Sequence, residues 1–165
     1  MFTDSQELLS DAQALTATAI STKVYDLLPS GGAVGSGRPG GPVANTTVNI
    51  AGKPMYLYIY VHTVLDSAGE AATLTATVES SADTSNGSST VHWTSGLIAE
   101  ATLATGYWVA KGVALPPGTY KRYVCVKYTV GTENFTSGKV SAWLSDTPQA
   151  ANSDEYARGT HHGLN

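Results

Sequence analysis

Cysteine is nearly missing from this 165-residue chain: Cys125 stands alone, so no internal disulfide can staple the fold. Charge is scarce too, with Asp, Glu, Lys and Arg at 13% of residues, about half the usual share. The net charge of −4 supplies no basic surface for counterion release from a phosphate backbone, which argues against a nucleic-acid partner. No apolar run approaches the roughly 20 residues of a membrane-spanning helix, so no membrane partner is expected. Met1 to Ser10 contains Asp4 and Glu7 and no basic start, so it does not read as a secretory signal. Long helical periodicity is lacking as well.

What is present is period-two alternation. Leu115-Pro116-Pro117-Gly118 opens onto a run rich in Tyr and Val. Tyr120, Val124, Val126, Tyr128 and Val130 fall on one face; Lys121, Tyr123, Cys125, Lys127 and Thr129 fall on the other. Alternation after a turn signal predicts a half-buried strand. The same pattern predicts strands at Leu15 to Leu28, Val43 to Ile50, Pro54 to Leu65, Thr73 to Ser80, Thr90 to Ile98, Leu103 to Val113, Thr119 to Val130 and Phe135 to Ser145. About eight strands without a long helix indicate an all-β protein, a β-sandwich or barrel. Leu57, Ile59, Val61, Leu74, Ala76, Val78, Val124, Val126, Val140 and Leu144 are the expected core.

The organisation reads in three parts. Residues 1–14 form an N-terminal arm or a short helix with Asp4 as N-cap and Glu7 three positions on. Residues 15–147 form the β domain, and residues 148–165 a C-terminal tail without periodicity. Within the domain, Gly31 to Pro42 is a loop by composition. Its Gly35-Ser36-Gly37-Arg38-Pro39-Gly40 matches the letters of a dinucleotide motif. A strand-like Val43-Ala44-Asn45-Thr46 follows instead of a helix, and no acid comes before Asp66, so the pyrophosphate and ribose contacts are lacking.

Candidate chemistry is thin. His161-His162 sit in a Gly-flanked tail without third and fourth ligands nearby, and His62 and His92 fall within predicted strands, so no metal is expected. Cys125 lies mid-strand with no helix N-terminus to activate it. Asp66 with Glu70, and Asp83, read as turn residues. Asp154 and Glu155 lack a pocket to raise a pKa. No nucleophile–base set is visible, and the expectation is a protein with no cofactor and no catalytic residues, not an enzyme.

The aromatic stripe is the more informative feature. Tyr56, Tyr58, Tyr60 and His62 share one face of a strand whose other face carries Leu57, Ile59 and Val61. Either a Tyr layer lies inside the sandwich, or that face meets a partner, for which rigid amphipathic Tyr is well suited. Trp143 poses the same question beside Val140, Ala142 and Leu144. Tyr156, Arg158 and His161 give the tail further groups for stacking and hydrogen bonding.

Two segments together carry a family resemblance. Leu9-Ser10-Asp11-Ala12-Gln13-Ala14-Leu15 through Val24-Tyr25-Asp26-Leu27 is one. The other runs from Leu115-Pro116-Pro117-Gly118 through Tyr120-Lys121-Arg122-Tyr123 and Tyr128-Thr129-Val130-Gly131-Thr132 to Phe135-Thr136-Ser137-Gly138-Lys139-Val140. Over about residues 5 to 148 the chain resembles the cement, or decoration, proteins of tailed-bacteriophage capsids, especially those of short-tailed phages. The resemblance implies a jelly-roll-like β-sandwich with extended terminal segments. Such a domain would multimerise, commonly as a homodimer, on the exterior of a virion assembled in the bacterial cytoplasm. Its partner would be the major capsid protein, whose neighbouring copies it would bridge. Capsid- or self-interface candidates are then Tyr56, Tyr58, Tyr60, Trp143, Tyr156, Arg158 and His161. The competing class is a lectin-like, carbohydrate-binding sandwich that uses the same Tyr and Trp residues for stacking.

Overall fold

Strands whose alternate residues are apolar must bury one face, and here two sheets do so against each other. The computed structural model describes residues 7–27, 47–50 and 55–146, the middle segment by its backbone alone. Within these the chain is all β apart from a single 3-10 turn, Glu100–Thr102. The first sheet has the order β1–β12–β5–β9, from Leu8–Ala14, Phe135–Ser145, Tyr56–Ser67 and Trp108–Ala114. The second has the order β2–β11–β6–β7, from Ala19–Ile20, Tyr123–Gly131, Thr73–Ser81 and Thr90–Thr94. Short β3 (Tyr25–Asp26) also pairs with β11, and β8 (Ile98–Ala99) with β6. β4 (Thr47–Ile50) and β10 (Gly118–Lys121) form a separate antiparallel pair. All pairings are antiparallel, and the two sheets pack as a sandwich.

All ten expected core residues lie between the sheets and are at most 1% exposed. Each Leu, Ile or Val buried this fully contributes about 1.5–3 kcal/mol relative to exposure. The even-numbered face of β11 was also placed correctly, since Val124, Val126 and Tyr128 are buried. Tyr120 joins them from β10, and its hydroxyl donates to the Pro116 carbonyl at 2.7 Å, which fixes the Pro-Pro-Gly turn. Tyr128, fully buried, shares a 3.0 Å hydroxyl–hydroxyl hydrogen bond with Ser10 of β1. Burial pushes the Tyr128 phenol well above its ordinary pKa.

The structure corrects several boundaries. Leu8–Ala14 is a strand, not a short helix: it runs along β12, with Leu8 opposite Trp143 and Ala14 opposite Lys139. The strand expected from Leu15 to Leu28 breaks into β2 and β3. The Ser21 hydroxyl donates to the Lys23 carbonyl at 2.7 Å, a local side-chain turn that competes with the ladder. Thr90 to Ile98 is interrupted at Ser95-Gly96, where Gly96 takes a φ of +72°. The expected strand from Leu103 begins only at Trp108, because a turn with a Tyr107 N–H to Ala104 carbonyl bond comes first. Among the described residues there are therefore twelve strands where about eight were expected. The Gly31 to Pro42 loop and the 148–165 tail lie outside the described residues.

Candidate outer-face binding site

With the core satisfied between the sheets, function must be sought on the two outer faces and at the sandwich ends. On the first sheet, Leu57, Ile59 and Val61 point inward, so Tyr58 and Tyr60 point outward. The register sets Tyr58 directly opposite Trp143 of β12 and Tyr60 opposite Trp108 of β9. Tyr58 and Trp143 stack with centroids 5.3 Å apart and planes only 5° from parallel. Trp108 meets Trp143 edge-on at 5.8 Å, Tyr58 edge-on at 6.2 Å, and Tyr60 at 4.9 Å. Such pairs contribute about 0.5–1.5 kcal/mol each beyond area burial. The result is one contiguous aromatic cluster across three strands. Tyr58 is its buried centre; Tyr60, Trp108 and Trp143 are half-buried.

Backbone irregularity makes room for this cluster. Leu57 pairs with Val113 and Tyr58 with Lys111, which leaves Gly112 as a bulge with φ +66°. A Cβ at Gly112 would stand 3.1 Å from the Tyr58 hydroxyl. The glycine therefore serves both the left-handed backbone and the ring beside it. Lys111, next to the bulge, holds its ammonium 5.8 Å from the Trp108 ring centroid, a cation–π contact.

The outer face of the second sheet is built differently. Glu79 of β6, opposite Cys125 of β11, is 4% exposed. It accepts hydrogen bonds from Ser89 at 2.6 Å, Asn86 at 2.7 Å and Thr77 at 2.8 Å, with the Lys127 ammonium at 4.0 Å. Burial opposes its ionisation, but the three donors and Lys127 together hold its pKa below the ordinary carboxylate value. The loop between β6 and β7 is thereby drawn onto the sheet; Asp83 shapes it by accepting from the Ser85 N–H and hydroxyl at 2.9 and 2.6 Å. Burial pushes the Cys125 thiol up to about 12, so it is no nucleophile.

At one end of the sandwich three elements are tied by carboxylates. Glu100 accepts from the Ser67 N–H at 2.7 Å and the Ala72 N–H at 3.1 Å, while Glu133 accepts from the Gly69 and Ala71 N–H groups at 3.0 and 3.1 Å. The Ser67 hydroxyl lies 2.5 Å from both. Its hydrogen bonding holds both acids below the ordinary range. It has one proton, so at any moment it serves one of them, and the other relies on backbone donors. Asp66 and Glu70, read as turn residues, line a cleft of about 230 Å³ beside Glu100. That is below the roughly 300–1,000 Å³ of small-molecule pockets. Glu100 and Glu133 fasten the β5–β6 turn. Ser80 and His92 also form a 2.7 Å pair, but Ser80 is fully buried and His92 stacks on Tyr120 at 3.7 Å. A substrate has no path to that hydroxyl. Among the described residues, no three His, Cys, Asp or Glu side chains gather to hold a metal, and no helix is long and apolar enough to cross a membrane.

Of the sequence-derived interface candidates, the fold brings Tyr58, Tyr60 and Trp143 into one cluster on the outer face. Tyr56 lies one register step further along, opposite Ser145 and Ala114. The Tyr layer is thus not inside the sandwich. Tyr156, Arg158 and His161 lie outside the described residues. Sequence reasoning missed Trp108 and Lys111. The cue was there, since Trp108 opens an alternating run, but its neighbours are fixed only by the β5–β9 register. It also missed Glu79, whose donors come from its own strand and the loop that follows, and Glu100 and Glu133, whose donors lie in the distant β5–β6 turn.

The Bbp16 family model matches residues 9–144. No curated protein matches the chain.

Proposed function

Because the chain belongs to the Bbp16 family, matched over residues 9–144, we propose that it is a structural protein of a bacteriophage particle. It is a cement protein that binds the exterior of the head and bridges neighbouring major capsid proteins. Besides the sequence resemblance, the observation that carries this reading is the outer face of the first sheet. It presents Tyr58, Tyr60, Trp108 and Trp143 as one cluster, where a solvated sheet face would present charged and small polar groups. Large aromatics at the surface are the anchors of protein interfaces.

The wiring supports the jelly-roll form of the sandwich. Setting the β4–β10 pair aside and taking β2 with β3 and β7 with β8 as single interrupted strands, the sheets interleave as first–last–third–sixth and second–seventh–fourth–fifth. That is the order of two Greek keys wound together. Jelly rolls occur in viral capsids and in lectins alike, so the fold does not choose between them. The surface favours the capsid reading, since Tyr58 and Trp143 each give one ring face to the other and are less open to a sugar. Homodimerisation belongs to the same reading, and exposed Val91 and Leu97, in and just after edge strand β7, offer apolar ground for it.

A dimer bound across a seam is bivalent, so its second contact forms at high effective concentration. It stabilises only the assembled shell, by mass action. Particles assembled without the protein should bind it, and should then resist heat or applied force better than bare ones. Binding to glycans with no binding to particles would transfer the aromatic face to the carbohydrate reading.

A further inference from the structure

Resting on the reading above, we infer that the outer face of the first sheet is the docking face and that its partner is an acidic protein surface, not a second copy of this chain. The argument is one of charge. The chain carries a net −4, yet β9 and β12 contain no Asp or Glu, while they contribute Lys111 and Lys139. Lys111 lies opposite Tyr58, and Lys139 opposite Thr63, on the outward side of Val140. Both are exposed, and neither pairs with a carboxylate among the described residues. The one acid of β5, Asp66, is at the far end of the strand, opposite Ser137. Asp11 sits in the irregular stretch of edge strand β1, and the flanking acids Glu7 and Asp146 are not free.

An aromatic cluster rimmed by cations matches a surface that supplies carboxylates around an apolar hollow. Complementary rims of this kind steer association and suppress wrong partners. The same charges disfavour self-pairing. A two-fold interface sets a patch against its own copy, which would oppose Lys to Lys without carboxylates to neutralise them. Among the described residues, the second sheet's outer face offers no comparable site, because Glu79 is already engaged with the β6–β7 loop and with Lys127.

The test uses particles assembled without the protein, the full-length chain, and the double variant Lys111→Glu/Lys139→Glu. Both side chains are exposed, so the variant should melt like the parent. Expected is binding weaker by about tenfold or more at low salt, with a gap that narrows as salt is raised. Thr129→Glu, exposed on the second sheet, should bind as the parent does. No binding by the parent chain overturns the cement reading and this inference together. Parent binding that the double variant retains in full overturns the inference alone. So does a parent dimer that the double variant, but not Thr129→Glu, dissociates.

Discussion

The two outer faces of this sandwich solve the same problem in opposite ways. The second sheet covers its outward side with its own chain: the loop after β6 is tied down to Glu79, which accepts three hydrogen bonds. Among the described residues, the first sheet covers its outward side with side chains, four aromatics packed against one another. A face closed by hydrogen bonds is finished and gains little from a partner. A face closed by half-buried rings still has apolar area to lose to one. The contrast teaches that equal lesions on the two faces should have unequal consequences, stability on one and association on the other.

The largest effect should come from the layer both faces share. Val126→Asp places an unpaired charge where the exposure is 0%, at a cost of several kcal/mol. Soluble, cooperatively melting protein would show that the inward face of β11 has been misassigned. Next, the closed face should make Cys125 inert. With its pKa near 12, the thiol should react at pH 8 about a thousandfold more slowly than an ordinary cysteine. Alkylation timed by mass spectrometry measures this, and a rate near that of free cysteine would mean that the second sheet is not closed.

Glu79→Ala removes the acceptor that holds the loop. It should lower stability by about 2–4 kcal/mol in denaturant unfolding and accelerate alkylation of Cys125. A pH dependence accompanies it. The folded-state pKa of Glu79 is depressed, so its stabilising contribution is complete above the ordinary value of 4.5 and is lost as pH falls through the depressed one. Unfolding midpoints taken from pH 6 downward should decline less steeply in Glu79→Gln than in the parent; Asp83, Glu100 and Glu133, also depressed, contribute to the slope that remains. The smallest effect on stability belongs to the open face. Trp108→Phe, which keeps a ring in the cluster, should cost about 1 kcal/mol, yet weaken particle binding more than Glu79→Ala does. The reverse ranking would erase the distinction between the faces.

The residues that announced themselves in the sequence are those whose environment repeats with the strand. β12 was placed from Phe135 to Ser145, and every expected core residue is buried, because period-two burial is written locally. What escaped detection depends on distant partners. β1 carries only Leu8 and Leu9 before its ladder turns irregular, and it is a strand because β12 lies beside it. The one ring of the aromatic cluster contributed by β9, Trp108, follows from a register that two irregularities shift. Arg122 interrupts the long run between β10 and β11, and its guanidinium bonds Asp26 in two places, at 2.9 and 2.8 Å. No local pattern points to that pair.

The pairing of β1 with β12 also sets an order of events in time. Ser10 must wait for Tyr128, 118 residues later, before its hydroxyl has a partner. At about 5 to 20 residues per second of synthesis, that delay is roughly 6 to 24 seconds. Throughout it β1 can bond the Lys23 N–H that follows it but lacks β12, its ladder partner among the described strands. An edge strand made early is therefore locked in only once β12, which lies inside the sheet, has been delivered.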